Sequence, residues 1–167
     1  SALVASGVLS LEQAAPLVRL RAQAMQDAVP VGQGAMAAIL GLDASKIIAV
    51  CADITTAGGD IGSVQAANFN DPGQTVISGS KTAVDAACEQ LKAAGAKRAL
   101  ILPVSAPFHS QLMRPAAEKL AEALKFVTFS APQIPVVNNI DVSVQADAAS
   151  IKDALYRQAF GPVRWVE

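Results

Sequence analysis

Histidine, tryptophan and tyrosine each occur once in these 167 residues, and cysteine occurs twice. One histidine and two distant cysteines cannot build a nitrogen- and sulfur-ligated metal site. Cys51 and Cys88 do not form a disulfide framework, and they read as small buried hydrophobes in helices. Charge is also scarce: 13 basic and 14 acidic residues make 16% of the chain, against about a quarter in ordinary soluble domains. The net charge of −1 lacks the basic excess of a nucleic-acid binder. Apolar runs such as Ala35 to Leu40 fall far short of the roughly 18 residues of a membrane span. No secretory leader is legible, so the cytoplasm is the expected compartment. What the chain does have is alanine, 34 residues of it, within a hydrophobic share of 52%. That content excludes disorder. It implies helices packed closely on a sheet, in one domain or one and a half small ones.

Leu11 to Ala28 has helical spacing, with Ser10 and Gln13 placed for a capping box and Pro16 threatening a kink or a later start. From Gly34 the pattern changes. Ala35–Leu40 reads as a strand, and Asp43–Ala52 as a helix capped by Asp43. Val64–Phe69 and Gln74–Ser78 read as strands joined by the turn Asn70-Asp71-Pro72-Gly73. Thr82–Ala94 is a helix stopped at Gly95, with Gly79-Ser80 as its cap, and Arg98–Leu102 is a last strand. The order β-α-β-β-α-β is the ferredoxin-like arrangement. Beyond Pro103, helices are expected over Leu112–Leu124 and Ile151–Phe160, with short extended runs at Phe126–Phe129 and Val136–Asn138. The expected fold class is α/β, with a small domain at 34–102 inserted into a larger α/β domain represented by 1–33 and 103–167. Both chain ends read as cuts through that larger domain.

Candidate chemistry is sparse. His109 lies in a loop, Pro103 to Ser110, that runs from a strand into a helix, where catalytic groups often sit. A lone histidine is nevertheless more often structural. Ser110 reads as a helix cap. Arg21 interrupts the apolar face of the first helix, either aimed at a carboxylate or phosphate or snorkelling to the surface. Lys97-Arg98 is either a phosphate contact or a commonplace basic pair. No glycine-rich phosphate loop and no Gly-x-Ser-x-Gly nucleophile elbow occurs.

Several segments together resemble one family over essentially the whole chain. They include Ser1-Ala2-Leu3-Val4, Arg21 with Met25-Gln26-Asp27-Ala28-Val29-Pro30, and Asn68-Phe69-Asn70 with Pro72-Gly73-Gln74. Further matches are Ala93 to Arg98, Pro103 to Ser110, Pro135 to Asn139, and Tyr156-Arg157-Gln158 with Pro162 to Trp165. The pattern is similar to that of the bacterial malonyl-CoA:acyl carrier protein transacylases of fatty acid synthesis. The resemblance implies an α/β-hydrolase-like domain with a ferredoxin-like insertion, and a soluble, monomeric, cofactor-independent enzyme when complete. It implies ping-pong transfer of malonyl from malonyl-CoA to the carrier protein's phosphopantetheine thiol through an acyl-serine. His109 would move the proton, Gln158 would orient it through its backbone carbonyl, and Arg21 would hold the malonyl carboxylate. Phe108 would favour malonyl over methylmalonyl. Lys97 and Arg98 would lie near a phosphate, and Asn70 and Gln74 would border the cleft. The family's elbow serine would precede Ser1, so no nucleophile is expected within the chain and no transacylase activity from these residues alone. Two other assignments fit the residues: an acyltransferase domain of a polyketide or multidomain fatty acid synthase, and a non-catalytic module that binds acyl carrier protein.

Overall fold

The computed structural model describes residues 1–167. A single turn, α1 (Ala2–Ala5), leads into α2 (Leu11–Ala28). The capping box at its start is reciprocal: Ser10 Oγ accepts from Gln13 N at 3.2 Å, and Gln13 Oε1 accepts from Ser10 N at 2.9 Å. That cap sets the first turn at Leu11, so α2 neither starts late nor breaks at Pro16, which only withholds its own N–H.

β1 (Gly34–Leu40), α3 (Ala44–Ala57), β2 (Val64–Asp71), β3 (Gln74–Ser80), α4 (Lys81–Ala93) and β4 (Arg98–Ile101) follow in the order the sequence implied. The strands lie as β4-β1-β3-β2 with antiparallel neighbours, and β1 pairs with β3 from Gly34↔Ser80 to Leu40↔Gln74. α3 and α4 cover one face. Ile47, Cys51 and Ile54 recur at helical spacing and meet Ala37, Ile39, Ile77, Val84 and Leu91 in a core of 14 buried residues. Small side chains, alanine and cysteine, let the helices approach the sheet closely.

Several boundaries differ from the sequence reading. α3 continues one turn past Ala52, because Ile54 extends the buried stripe. Thr55 then turns its hydroxyl to Val64, donating to O at 2.8 Å and accepting from N at 3.0 Å. Asp43 occupies the cap position of α3 without a side-chain bond. The β2–β3 turn is tighter than the four residues expected: only Pro72-Gly73 lies between the strands, with Asp71 Oδ1 accepting from Gly73 N at 2.9 Å. Ser80 precedes α4 without capping it, its hydroxyl donating instead to Ile61 O at 2.8 Å.

The rest of the chain builds α5 (Arg114–Leu124), a hairpin of β5 (Val137–Asn138) and β6 (Ser143–Val144), α6 (Ala148–Gln158) and β7 (Val163–Arg164). α5 begins after a 3-10 turn at Gln111–Met113, and Pro115 is accommodated in its first turn. Phe126–Phe129 forms no strand; Phe129 anchors the loop in a core with Val8, Leu120 and Ile151. α6 starts three residues earlier than expected because Asp147 caps it, accepting from Ser150 N at 2.8 Å. β7 was not foreseen. It joins β2 in parallel, Asn68↔Val163 and Phe69↔Arg164, as a fifth strand. The sheet face away from α3 and α4 carries Met36, Ala38, Ala67 and Val76, against which Leu102 and Phe108 pack. That contact brings the His109 loop onto the sheet. No helix is long and apolar enough to cross a membrane.

Candidate active site

The loop from Pro103 to Ser110 is pinned at several points. Ser105 Oγ donates to Gln26 Oε1 on α2 at 2.7 Å. The Pro107 ring is buried against Gly34, where a side chain would collide with it. Ser110 was expected to cap the next helix, but its buried hydroxyl donates back to Pro107 O at 2.7 Å. Phe108 packs between two apolar clusters, one under α2 and α5 and one on the sheet.

His109 stands in the left-handed region at φ 57°, which costs a residue with a Cβ on the order of 1–2 kcal/mol. Its ring meets two carbonyls: Nδ1 lies 3.0 Å from Gln158 O and 3.2 Å from Gly161 O. Gln158 is the last residue of α6, where carbonyls lack helical partners, and Gly161 lies three residues beyond it. The Gln158 side chain steadies the same segment, with Nε2 donating to Pro162 O at 3.0 Å and to Gly161 O at 3.3 Å. Gly161 has no room for a side chain, since a Cβ would collide with Ile140 and come within 2.8 Å of Arg157 O.

Two acceptors around Nδ1 admit only a donor there, so the proton resides on Nδ1 and the Nε2 lone pair is left free. Burial holds the imidazole pKa below its ordinary 6.5, the carbonyl bonds pull it partly back, and the positive charge of Arg21 lowers it again. The ring is therefore neutral at neutral pH, with Nε2 available as a base.

Arg21 projects from α2, half-buried, and desolvation draws its pKa down. It makes no ion pair or hydrogen bond within the chain, whereas Arg157 grips Asp141 with both nitrogens at 2.6 and 2.8 Å. Arg21 lines an apolar cleft of about 290 Å³ with Leu3, Val4, Leu17 and Phe129. A partly desolvated guanidinium without a partner is disposed to take an anion.

The structure brings the loop of Phe108 and His109 against the end of α6 at Gln158, and Arg21 is near enough for its charge to act on the imidazole. Asn70, Gln74, Lys97 and Arg98 lie elsewhere. Gln74 and Arg98 both pair with Leu40, at the end of the sheet opposite Gly34 and Pro107. Asn70 is five residues along β2 from Gln65, the strand's contact with His109, which is roughly 17 Å at strand rise. The two cysteines are buried in the core, and burial pushes the Cys51 thiol up to about 12 and raises that of Cys88. Neither is a nucleophile at neutral pH.

Sequence reasoning missed Gln65, Gln111 and Gly161. Gln65 Nε2 donates to His109 O at 3.3 Å, and Gln65 Oε1 accepts from Gln111 N at 3.0 Å. Its only sequence signal is a long amide between Val64 and the two small residues Ala66 and Ala67. Gly161 lies one residue past the helix expected over Ile151–Phe160.

Residues 1–164 match the family model of the acyl transferase domain. The chain is 53% identical, over all its 167 residues, to the malonyl CoA-acyl carrier protein transacylase of Salmonella typhimurium, and covers 53% of that protein. Among solved structures it is similar to an acyl-carrier-protein S-malonyltransferase from Burkholderia pseudomallei, with 60% identity and a TM-score of 0.92 over 98% of this chain and 52% of that one. It is also similar to a malonyl-transacylase solved in complex with a type II polyketide acyl carrier protein, with 50% identity and a TM-score of 0.93 over 98% and 52%. The chain thus spans about half the length of the curated relatives it matches.

Proposed function

The chain belongs to the acyl transferase domain family, and from that membership we propose that it carries the proton-transfer and carboxylate-binding half of a malonyl-CoA:acyl carrier protein transacylase. The supporting observation is the histidine held by two carbonyls, with Nε2 free, within reach of the charge of an arginine that has no acid partner. On this reading a serine from outside residues 1–167 attacks the malonyl thioester. Nε2 of His109 takes the serine proton and returns it to the departing CoA thiolate. In the second half the carrier protein's pantetheine thiol gives its proton to Nε2 and attacks the malonyl-serine ester, and His109 then reprotonates the serine. Gln158 and Gly161 keep the ring in the Nδ1–H tautomer and share the positive charge that forms, the place an aspartate fills in other triads.

Arg21 binds the malonyl carboxylate through its fork, which acetyl has no group to engage. Phe108 crowds the position of an α-methyl substituent and so disfavours methylmalonyl. Lys97 and Arg98 sit at the far end of the sheet, a separation suited to phosphates on a long pantetheine arm, with Asn70 and Gln74 along the way. The β4-β1-β3-β2 unit of residues 34–102 is a ferredoxin-like insertion, and residues 1–33 and 103–167 belong to a hydrolase-like domain. The enzyme works as a cytoplasmic monomer. A carrier protein of polyketide synthesis is an equally suitable acceptor, in line with the relative solved in complex with one.

The test is malonyl transfer to holo acyl carrier protein by the full-length polypeptide. Arg21→Ala should cost about 3 kcal/mol, roughly two orders of magnitude in kcat/KM, with malonyl-CoA and little with acetyl-CoA. Equal losses on both substrates would remove Arg21 from the carboxylate. His109→Ala should abolish transfer, and retained activity would sink the reading.

A further inference from the structure

We propose that Gln65 is a positioning residue for His109, acting as a one-residue stand-in for a neighbouring β-strand. Its amide bridges two main-chain groups: the His109 carbonyl accepts from Nε2 at 3.3 Å, and the Gln111 N–H donates to Oε1 at 3.0 Å. A carbonyl of one residue and the N–H two residues later are the pair that one residue of a parallel neighbouring strand bonds through its own N–H and C=O, and here a single side-chain amide takes both. Ser110 between them is extended, at φ −115° and ψ 164°, as that pattern requires.

The consequence falls on the histidine. A residue at φ 57° has an extended or helical alternative close at hand, and either would swing its Cβ away from α6. The amide fixes the peptide that follows His109 and so closes off those alternatives. Gln65 is itself held in β2 opposite Ser78, so the restraint originates in the sheet. The imidazole restraint originates in α6, through Gln158 O and Gly161 O. The base is thereby held from two sides: its backbone by the sheet, its ring by the helix end. Ser110 cannot substitute, because its hydroxyl is committed to Pro107 O. A site group locked by its supporting contacts is one whose reactive atom is correctly aimed.

This inference rests on the reading of His109 as the base, but its first test does not require activity. In the full-length polypeptide the ring-nitrogen NMR signals of His109 are identified by their loss in His109→Gln, so the ¹⁵N-labelled protein reports the tautomer of this ring directly. Unmodified protein should show the Nδ1–H form predominating above pH 7.5. Gln65→Met keeps the length and bulk of the side chain and removes both bonds. It should shift the ring toward the Nε2–H form that free imidazole side chains prefer, with an unchanged thermal transition. Gln65→Glu keeps only the bond from Gln111 and should fall between them; it also serves should Gln65→Met fail to fold. In the full-length polypeptide Gln65→Met should lower kcat on the order of tenfold, with KM for malonyl-CoA held within about twofold. A wild-type tautomer distribution in Gln65→Met would overturn the proposal and reduce Gln65 to packing. So would a shifted tautomer with undiminished kcat. A fully active His109→Ala variant is a different failure: it overturns the proton-transfer reading itself.

Discussion

His109 was legible in the sequence as a lone imidazole in a proline-rich loop, but its tautomer was not. The tautomer is set by carbonyls 49 and 52 residues away along the chain, contacts that no local pattern encodes. Two pH dependences follow from the imidazole pKa being held below 6.5 by burial. First, kcat/KM for transfer should rise with pH along an apparent pKa below 6.5 and stay flat above neutrality. Second, the unfolded chain binds this proton more readily than the folded one. The resulting stability is therefore fully present above 6.5 and is lost as pH falls through the folded value. Denaturant titrations of the chain and of His109→Gln between pH 5 and 8 should converge toward the acid end. Phe108 carries the selectivity argument. Full-length polypeptide with Phe108→Ser should discriminate less between malonyl and methylmalonyl thioesters than the unmodified protein. Because Phe108 also joins two apolar clusters, Phe108→Leu is the companion variant that retains apolar bulk. Equal discrimination across all three forms would count against a steric role.

The start of α2 was legible because its signals are local. Ser10 and Gln13 announced α2, and the reciprocal bonds are there. Ser10→Ala should lower stability by about 1 kcal/mol, read as a drop in denaturant midpoint with unchanged m-value. Less legible were hydroxyls that find a better partner than the helix they precede. Ser80 and Ser110 sat at cap positions by pattern, yet each turned to a backbone carbonyl elsewhere. α3 outran its expected end because burial of Ile54 outweighed the weak helix propensity of the threonines that follow. At the end of α6, Gly161→Ala should push the backbone off Ile140 and Arg157, displacing the carbonyl that faces Nδ1. The expected outcome is a loss in kcat larger than any change in KM, together with about 1–3 kcal/mol of stability.

At the scale of the molecule, the β-α-β-β-α-β order was readable because its core is self-contained: all 14 residues of the largest buried cluster lie between Ala35 and Leu91. Residues 34–102 produced alone should accordingly unfold in a single cooperative transition by circular dichroism, and a gradual, non-cooperative melt would refute that independence. The remainder resisted reading because its apolar side chains do not fully cover one another. Leu11, Val18, Phe126 and Trp165 stand 63–88% exposed, so periodicity alone could not say which faces were inner. β7 escaped for another reason. Two residues carry no period, and their place in the sheet depends on β2, almost a hundred positions earlier.

That short strand gives the segment from Gln158 to Arg164 the character of a gauge block. At one end its carbonyls set the imidazole, and at the other its peptides lock into β2 in fixed register. Only Pro162 separates Gly161 from Val163. One added residue here would reverse which side of the sheet Val163 and Arg164 address, or else drag the carbonyls off the ring. The spacing between helix end and strand is thus as much a component of the site as any side chain, and insertions or deletions there should be far less tolerated than substitutions.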